Sequence, residues 1–79
     1  MSELADYLRA TGAYREVREL QDGTLAGIGK LLFTTAIYLD LEPLGWGRRF
    51  CFEDHALAQQ QFDALTDSDH EPTGWVARR

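Results

Sequence analysis

The stretch LLFTTAIYLDL, Leu31 to Leu41, constrains the fold most. In an extended chain Leu32, Thr34, Ala36 and Tyr38 point one way and Phe33, Thr35, Ile37 and Leu39 the other. Both sets are largely apolar or β-branched. A strand apolar on both faces sits centrally in a sheet, or is covered by structure on each side. Two threonines and an aspartate interrupt the run, and it is far too short to cross a bilayer as a helix. Traced upstream, the strand is expected to begin at Leu25 and run as one long element to Leu41. Gly27 and Gly29 are expected to mark a bulge or bend within it.

The flanking segments supply partners for that strand. Ser2 suits an N-cap, and Glu3 and Asp6 lie where the helix dipole favours anions. Leu4, Tyr7, Leu8 and Thr11 then fall on one face of a helix over 3–11, which Gly12 stops. YREVREL, Tyr14 to Leu20, has the three-residue spacing of a helix. It precedes Asp22-Gly23, however, a hairpin turn signal, and it reads better as a charged edge strand. EPLGWG breaks the chain before a further strand, RRFCFE, with Phe50 and Phe52 on one face and Arg49, Cys51 and Glu53 on the other. Asp54 caps a second helix over about 55–65 with the stripe Leu57, Ala58, Phe62 and Leu65, while Gln59, Gln60 and Asp63 face water. Phe50 and Phe52 are expected under that stripe. DSDHEPTG is a loop, and GWVARR adds a short strand through Trp75 and Val76. The fold class is α+β: a three- to four-stranded antiparallel sheet with both helices packed on it.

Composition narrows the function. A chain of 79 residues forms one domain, 1–79, and needs nearly all its large apolar residues for the core. Its net charge is −5, from 8 Lys and Arg against 13 Asp and Glu. That disfavours direct contact with nucleic acid or an anionic membrane, both of which require clustered cations. An acidic chain still enters nucleic-acid biology by filling the basic groove of a binding protein. Cys51, the single cysteine, has no internal partner, as in a reducing cytoplasm. MSELADYL has no basic region before an apolar one and does not read as a signal peptide. A soluble, cytoplasmic protein is expected.

The chemical motifs are weak. AGIGK, Ala26 to Lys30, lacks the earlier glycine and the hydroxyl residue of a phosphate-binding loop, and a strand glycine pair explains it. Cys51, His55, Asp67, Asp69 and His70 are zinc-ligand types without the paired spacing of a structural site. Cys51 and His55 are four apart, but a strand cysteine and a first-turn helix histidine point apart. No carboxylate orients the pair, and the helix N-terminus disfavours a cationic His55. No catalytic residue, metal or cofactor is assigned. Tyr38, Trp46 and Trp75 are each compatible with core or interface. The strongest candidate is the stretch from Glu53 to Glu71: nineteen positions with six acidic residues, two histidines and no Lys or Arg. Such a stretch is either a solvated face or a one-signed field that speeds encounter with a basic partner. Arg48, Arg49, Arg78 and Arg79 flank it and would partly neutralise it by folding back. The charge pattern assigns partner binding to Glu53, Asp54, Asp63, Asp67, Asp69 and Glu71.

Taken whole, the chain resembles a group of very small phage- and prophage-encoded proteins. The likeness lies in LADYL, DGTLAG, LLFTTAIYLDL, GWGRRFCFE, an Ala/Gln-rich helix ending FDAL, and a closing PTGWV. Within that group it is most similar to an anti-CRISPR protein directed against a type I, specifically type I-C, CRISPR-Cas system. The resemblance implies a non-enzymatic CRISPR-Cas inhibitor in the host bacterial cytoplasm. Such a protein binds Cas subunits of the crRNA-guided Cascade complex and blocks target DNA engagement, often by DNA mimicry with an acidic surface. No family motif marks the contact residues, so the six carboxylates rest on the charge argument alone. The alternative is another small phage interaction or regulatory protein that binds a basic host protein.

Overall fold

The computed structural model describes the backbone of residues 3–78 and the side chains of residues 3–76. Five strands form one sheet in the order β1-β2-β3-β4-β5. They are β1 Glu16–Glu19, β2 Leu25–Lys30, β3 Thr35–Leu39, β4 Arg48–Phe52 and β5 Ala77–Arg78. Helix α1, Glu3–Thr11, precedes β1, and α2, His55–Asp63, lies between β4 and β5. All neighbouring pairs are antiparallel, so the α+β sheet is a meander. The fifth strand has two residues and pairs with Phe50 and Cys51, two residues later than the strand expected through Trp75 and Val76. Val76 N–H donates to the Cys51 carbonyl at 2.8 Å, while the Trp75 ring packs 5.8 Å from that of Phe50. Ser2, read as an N-cap, and Arg79 lie outside the described residues, as does the side chain of Arg78.

TAIYL is the central strand, buried along its whole length. Ile37 and Leu39 join Ala26, Ile28, Phe50 and Phe52 beneath Ala58 and Phe62 of α2. Ala36 and Tyr38 face the other way, with Val17, Leu25, Leu41 and Cys51, toward Ala5 and Leu8 of α1. The sheet therefore carries a helix on each face, as two apolar faces require. On α1 the buried residues are Ala5 and Leu8, whereas Tyr7, placed on the apolar stripe by its spacing, is 53% exposed. Among the described residues no helix is long and apolar enough to cross a membrane.

The single strand expected from Leu25 to Leu41 is instead the hairpin β2–β3. Seventeen extended residues would reach about 56 Å, against a longest molecular dimension of 31 Å. The chain reverses through Leu31 to Thr34, where Leu31 N–H donates to the Thr34 carbonyl at 2.7 Å. Leu32 and Phe33 are consequently 84% exposed. The turn contains no Gly, Pro, Asn or Asp, so its local chemistry did not announce it.

Nor do Gly27 and Gly29 form a bulge, since their pairing to Tyr38 and Ala36 is regular. They let another segment lie against the sheet. A Cβ on Gly27 would come 3.0 Å from both Leu41 Cδ1 and Tyr14 Cδ1, and one on Gly29 would come 3.3 Å from the Ala13 carbonyl. Tyr14 thus crosses the sheet over the glycines before β1 begins along its edge. Arg15, Glu16, Arg18 and Glu19 charge that edge, which discourages pairing with another chain.

Candidate partner-binding site

A meander puts its alternate connections at the same end. The β1–β2 turn, the β3–β4 loop and the chain leaving α2 meet at one end of the sheet, called here the Asp22 end. The β2–β3 turn and the start of α2 meet at the other. Leu41 N–H donates to the Leu25 carbonyl at 3.0 Å, and Gln21 N–H to the Thr66 carbonyl at 2.9 Å, joining the three segments.

The six carboxylates chosen from sequence are divided by this arrangement. Glu53 and Asp54 lie at the start of α2. Asp67, Asp69 and Glu71 lie beyond its far end, about 13 Å away along nine residues of helix. Asp54 is a helix cap, accepting from Ala56 N–H at 2.9 Å and Leu57 N–H at 3.1 Å. Asp63, on the last turn, accepts from Gln59 Nε2 at 3.0 Å. Glu53, Asp69 and Glu71 are exposed.

The loop after α2 is fixed by its own acidic chemistry. Asp67 Oδ1 accepts from Asp69 N–H at 2.9 Å, and Asp22 Oδ2 accepts from Ser68 N–H at 2.9 Å. Asp22 also accepts from the Thr24 hydroxyl at 2.6 Å. That bond first, and Ser68 N–H after it, hold the Asp22 carboxyl well below the usual carboxylate range. Pro72 closes the loop fully buried.

Three arginines reach this end, and two of them, Arg18 and Arg48, bind main-chain carbonyls. Arg18 donates to the carbonyl of Asp63 at 2.9 Å and to that of Leu65, with its guanidinium 5.5 Å from the Phe62 ring centre. Arg48 donates to the carbonyl of Ser68 and, at 3.3 Å, to that of His70. Both therefore order the loop through its carbonyls, with Asp69 and Glu71 exposed and Asp67 half-buried. The expected folding back of a flanking arginine occurs at Arg48, onto carbonyls. Arg49 lies over the Trp46 ring, 5.3 Å from its centre.

The fold adds three acids that sequence reasoning left out. Asp22, read only as a turn former, belongs to the same end, as do Asp40 and Glu42 in the β3–β4 loop. The usable signal was topological: in an antiparallel meander the first and third connections share an end. The opposite end carries exposed Lys30 together with exposed Glu53 and Asp54.

The zinc-ligand types are scattered. Cys51 is buried on the α1 side of the sheet. His55 Nδ1 shares a hydrogen bond with the buried Thr35 hydroxyl at the start of α2, and His70 Nδ1 lies 3.3 Å from Thr66 Oγ1 at the other end. Among the described residues no three His, Cys, Asp or Glu are placed to hold a metal ion, and no cleft is present. AGIGK lies within β2, paired regularly with β3.

The aromatic residues separate by burial. Tyr38 is core, set edge-on to Tyr14 at 5.1 Å and to Trp46 at 4.9 Å. Burial, and secondarily Tyr38, raise the Tyr14 phenol above its ordinary value. Trp75 is half-buried against the α2-side core. Trp46 stays 40% exposed at the Asp22 end. Comparison of the chain with protein-family models, with curated proteins and with solved structures finds no match.

Proposed function

We propose that this chain is a non-catalytic binding protein whose Asp22 end enters the cation-lined nucleic-acid groove of a larger protein. Following the resemblance described above, the partner is the type I-C Cascade complex and the protein is an anti-CRISPR inhibitor that keeps target DNA away. One observation carries the reading. Exposed acidic residues from three separate connections, Asp22, Asp40, Glu42, Asp69 and Glu71, lie at one end, while Arg18 and Arg48 there are engaged by carbonyls and Arg49 lies over the Trp46 ring.

The physics needs no further chemistry. A DNA-binding groove draws much of its affinity from Arg and Lys contacts to phosphates, and carboxylates held on an ordered surface compete for those cations. A one-signed field speeds the encounter with such a groove. Asp67, Asp69 and Glu71 belong to this surface, joined by Asp22, Asp40 and Glu42, with Asp63 at its margin. Glu53 and Asp54 fall outside it.

The test is a titration against purified type I-C Cascade at low and high salt, with target DNA as competitor. The parent binds, competes with DNA, and weakens as screening shortens with salt. Combined Glu42→Lys, Asp69→Lys and Glu71→Lys lowers the association rate and the competition, whereas Glu53→Lys alone changes little. A triple reversal that binds and competes like the parent rules out this surface. A parent that ignores Cascade but binds another basic host protein selects the alternative reading.

A further inference from the structure

The β3–β4 loop, Asp40 to Gly47, holds an apolar residue away from the fold. Leu44 is 100% exposed. A mobile loop tip would be ordinary, but this one is cross-braced. Glu42 N–H donates to the Gly45 carbonyl at 2.9 Å and Gly45 N–H to the Glu42 carbonyl at 3.3 Å, closing the tip on itself. Gly47 N–H reaches the carbonyls of Leu39 at 3.0 Å and Asp40 at 3.1 Å, closing the base. Pro43 fixes one backbone angle of the tip. Asp40 sits at φ +59°, a left-handed conformation unfavourable for a residue with a Cβ. Beside Leu44, Trp46 is braced from within by Tyr38 and presents its outer part to solvent.

We propose that Leu44 and the outer edge of Trp46 form the apolar anchor of the interface, with Asp40 and Glu42 as its charged rim. The partner surface is a protein notch lined by apolar groups and ringed by Lys or Arg. Charge selects this occupant. Arg49 lies over the Trp46 ring, but Asp40, Glu42 and the net charge of −5 repel nucleic acid and anionic lipid, and a second copy docking tip to tip would set Asp40 and Glu42 against their own counterparts. The proposal deepens the function given above and rests on it for the partner's identity. It also divides the labour: rim charges act on association, while a desolvated apolar anchor sets the dissociation rate. A braced tip loses little conformational freedom on docking.

Two measurements on the intact protein test it. In the first, Leu44→Ser is compared with the parent for dissociation from Cascade, after melting curves confirm that this exposed substitution leaves the fold alone. Dissociation faster by about tenfold or more is expected, the factor for withdrawing one leucine side chain from water. An unchanged dissociation rate in a parent that does bind overturns the anchor and leaves the proposed function standing. The second does not use Cascade. A short peptide of alternating lysine and leucine is titrated against an oligolysine of equal charge, followed by backbone amide and tryptophan indole NMR shifts. The parent binds the lysine–leucine peptide more tightly, with shifts centred on Glu42 to Trp46, and Leu44→Ser loses the difference. Equal binding of the two peptides, or a difference that survives Leu44→Ser, refutes the anchor whatever the fate of the Cascade reading.

Discussion

Replacing Phe52 with alanine removes a ring that is 0% exposed between β4, the start of β3 and α2. The change forfeits the transfer energy of the ring and leaves a cavity that its neighbours only partly fill. Together these cost about 3–5 kcal/mol. A domain of this length has a total stability of about 4–12 kcal/mol, so the variant retains little margin. Its unfolding entropy near the midpoint is about 0.17 kcal/mol/K, which converts that cost into a fall in Tm of roughly 18–30 °C. The assay is a thermal melt followed by circular dichroism, with Phe52→Leu as a control expected to cost under about 1.5 kcal/mol. An alanine variant that melts within a few degrees of the parent refutes the placement of Phe52 between the sheet and α2.

Two further outcomes follow from individual hydrogen bonds. Asp54→Ala removes the acceptor for Ala56 and Leu57 N–H and lowers stability in urea by about 1 kcal/mol, while Asp54→Ser retains most of it; equal losses for both variants contradict the capping role. Asp22, held below its ordinary value by Thr24 and Ser68, binds fewer protons folded than unfolded. Its contribution is present above the ordinary carboxylate value of about 4 and is lost as pH falls below it. Tm measured between roughly pH 5 and pH 3 should therefore fall more steeply for the parent than for Asp22→Asn; parallel curves contradict the assignment.

Much of the architecture was local enough to read from the chain. Helix 3–11 was legible because its acidic first turn and Gly12 bound a short periodic segment. Asp54 was legible as a cap because its carboxylate bonds amides only two and three residues away. The alternation of Phe50 and Phe52 with Arg49 and Cys51 assigned two faces, and two-sided apolarity put the segment from Leu25 to Leu41, which contains TAIYL, at the centre or under cover on each side. Each inference depends on neighbours within a few residues, where sequence spacing and spatial distance are nearly the same thing.

What failed depended on contacts between distant segments. Leu31 to Thr34 turns because an uninterrupted strand would overrun the molecule, and nothing in those four residues says so. Gly27 and Gly29 read as a bulge or bend, yet their purpose is set by Ala13 and Tyr14, which the fold lays across them. The acidic stretch read as one surface because it is continuous in sequence. A nine-residue helix with rigid rise carries its two ends apart, and the meander brings Asp22, Asp40 and Glu42 to the farther one. Sequence alone determined the sign of the charge and the helix and strands that carry it. Tertiary structure decided which carboxylates share a surface, because strand direction, rather than chain order, assigns each connection to an end of the sheet.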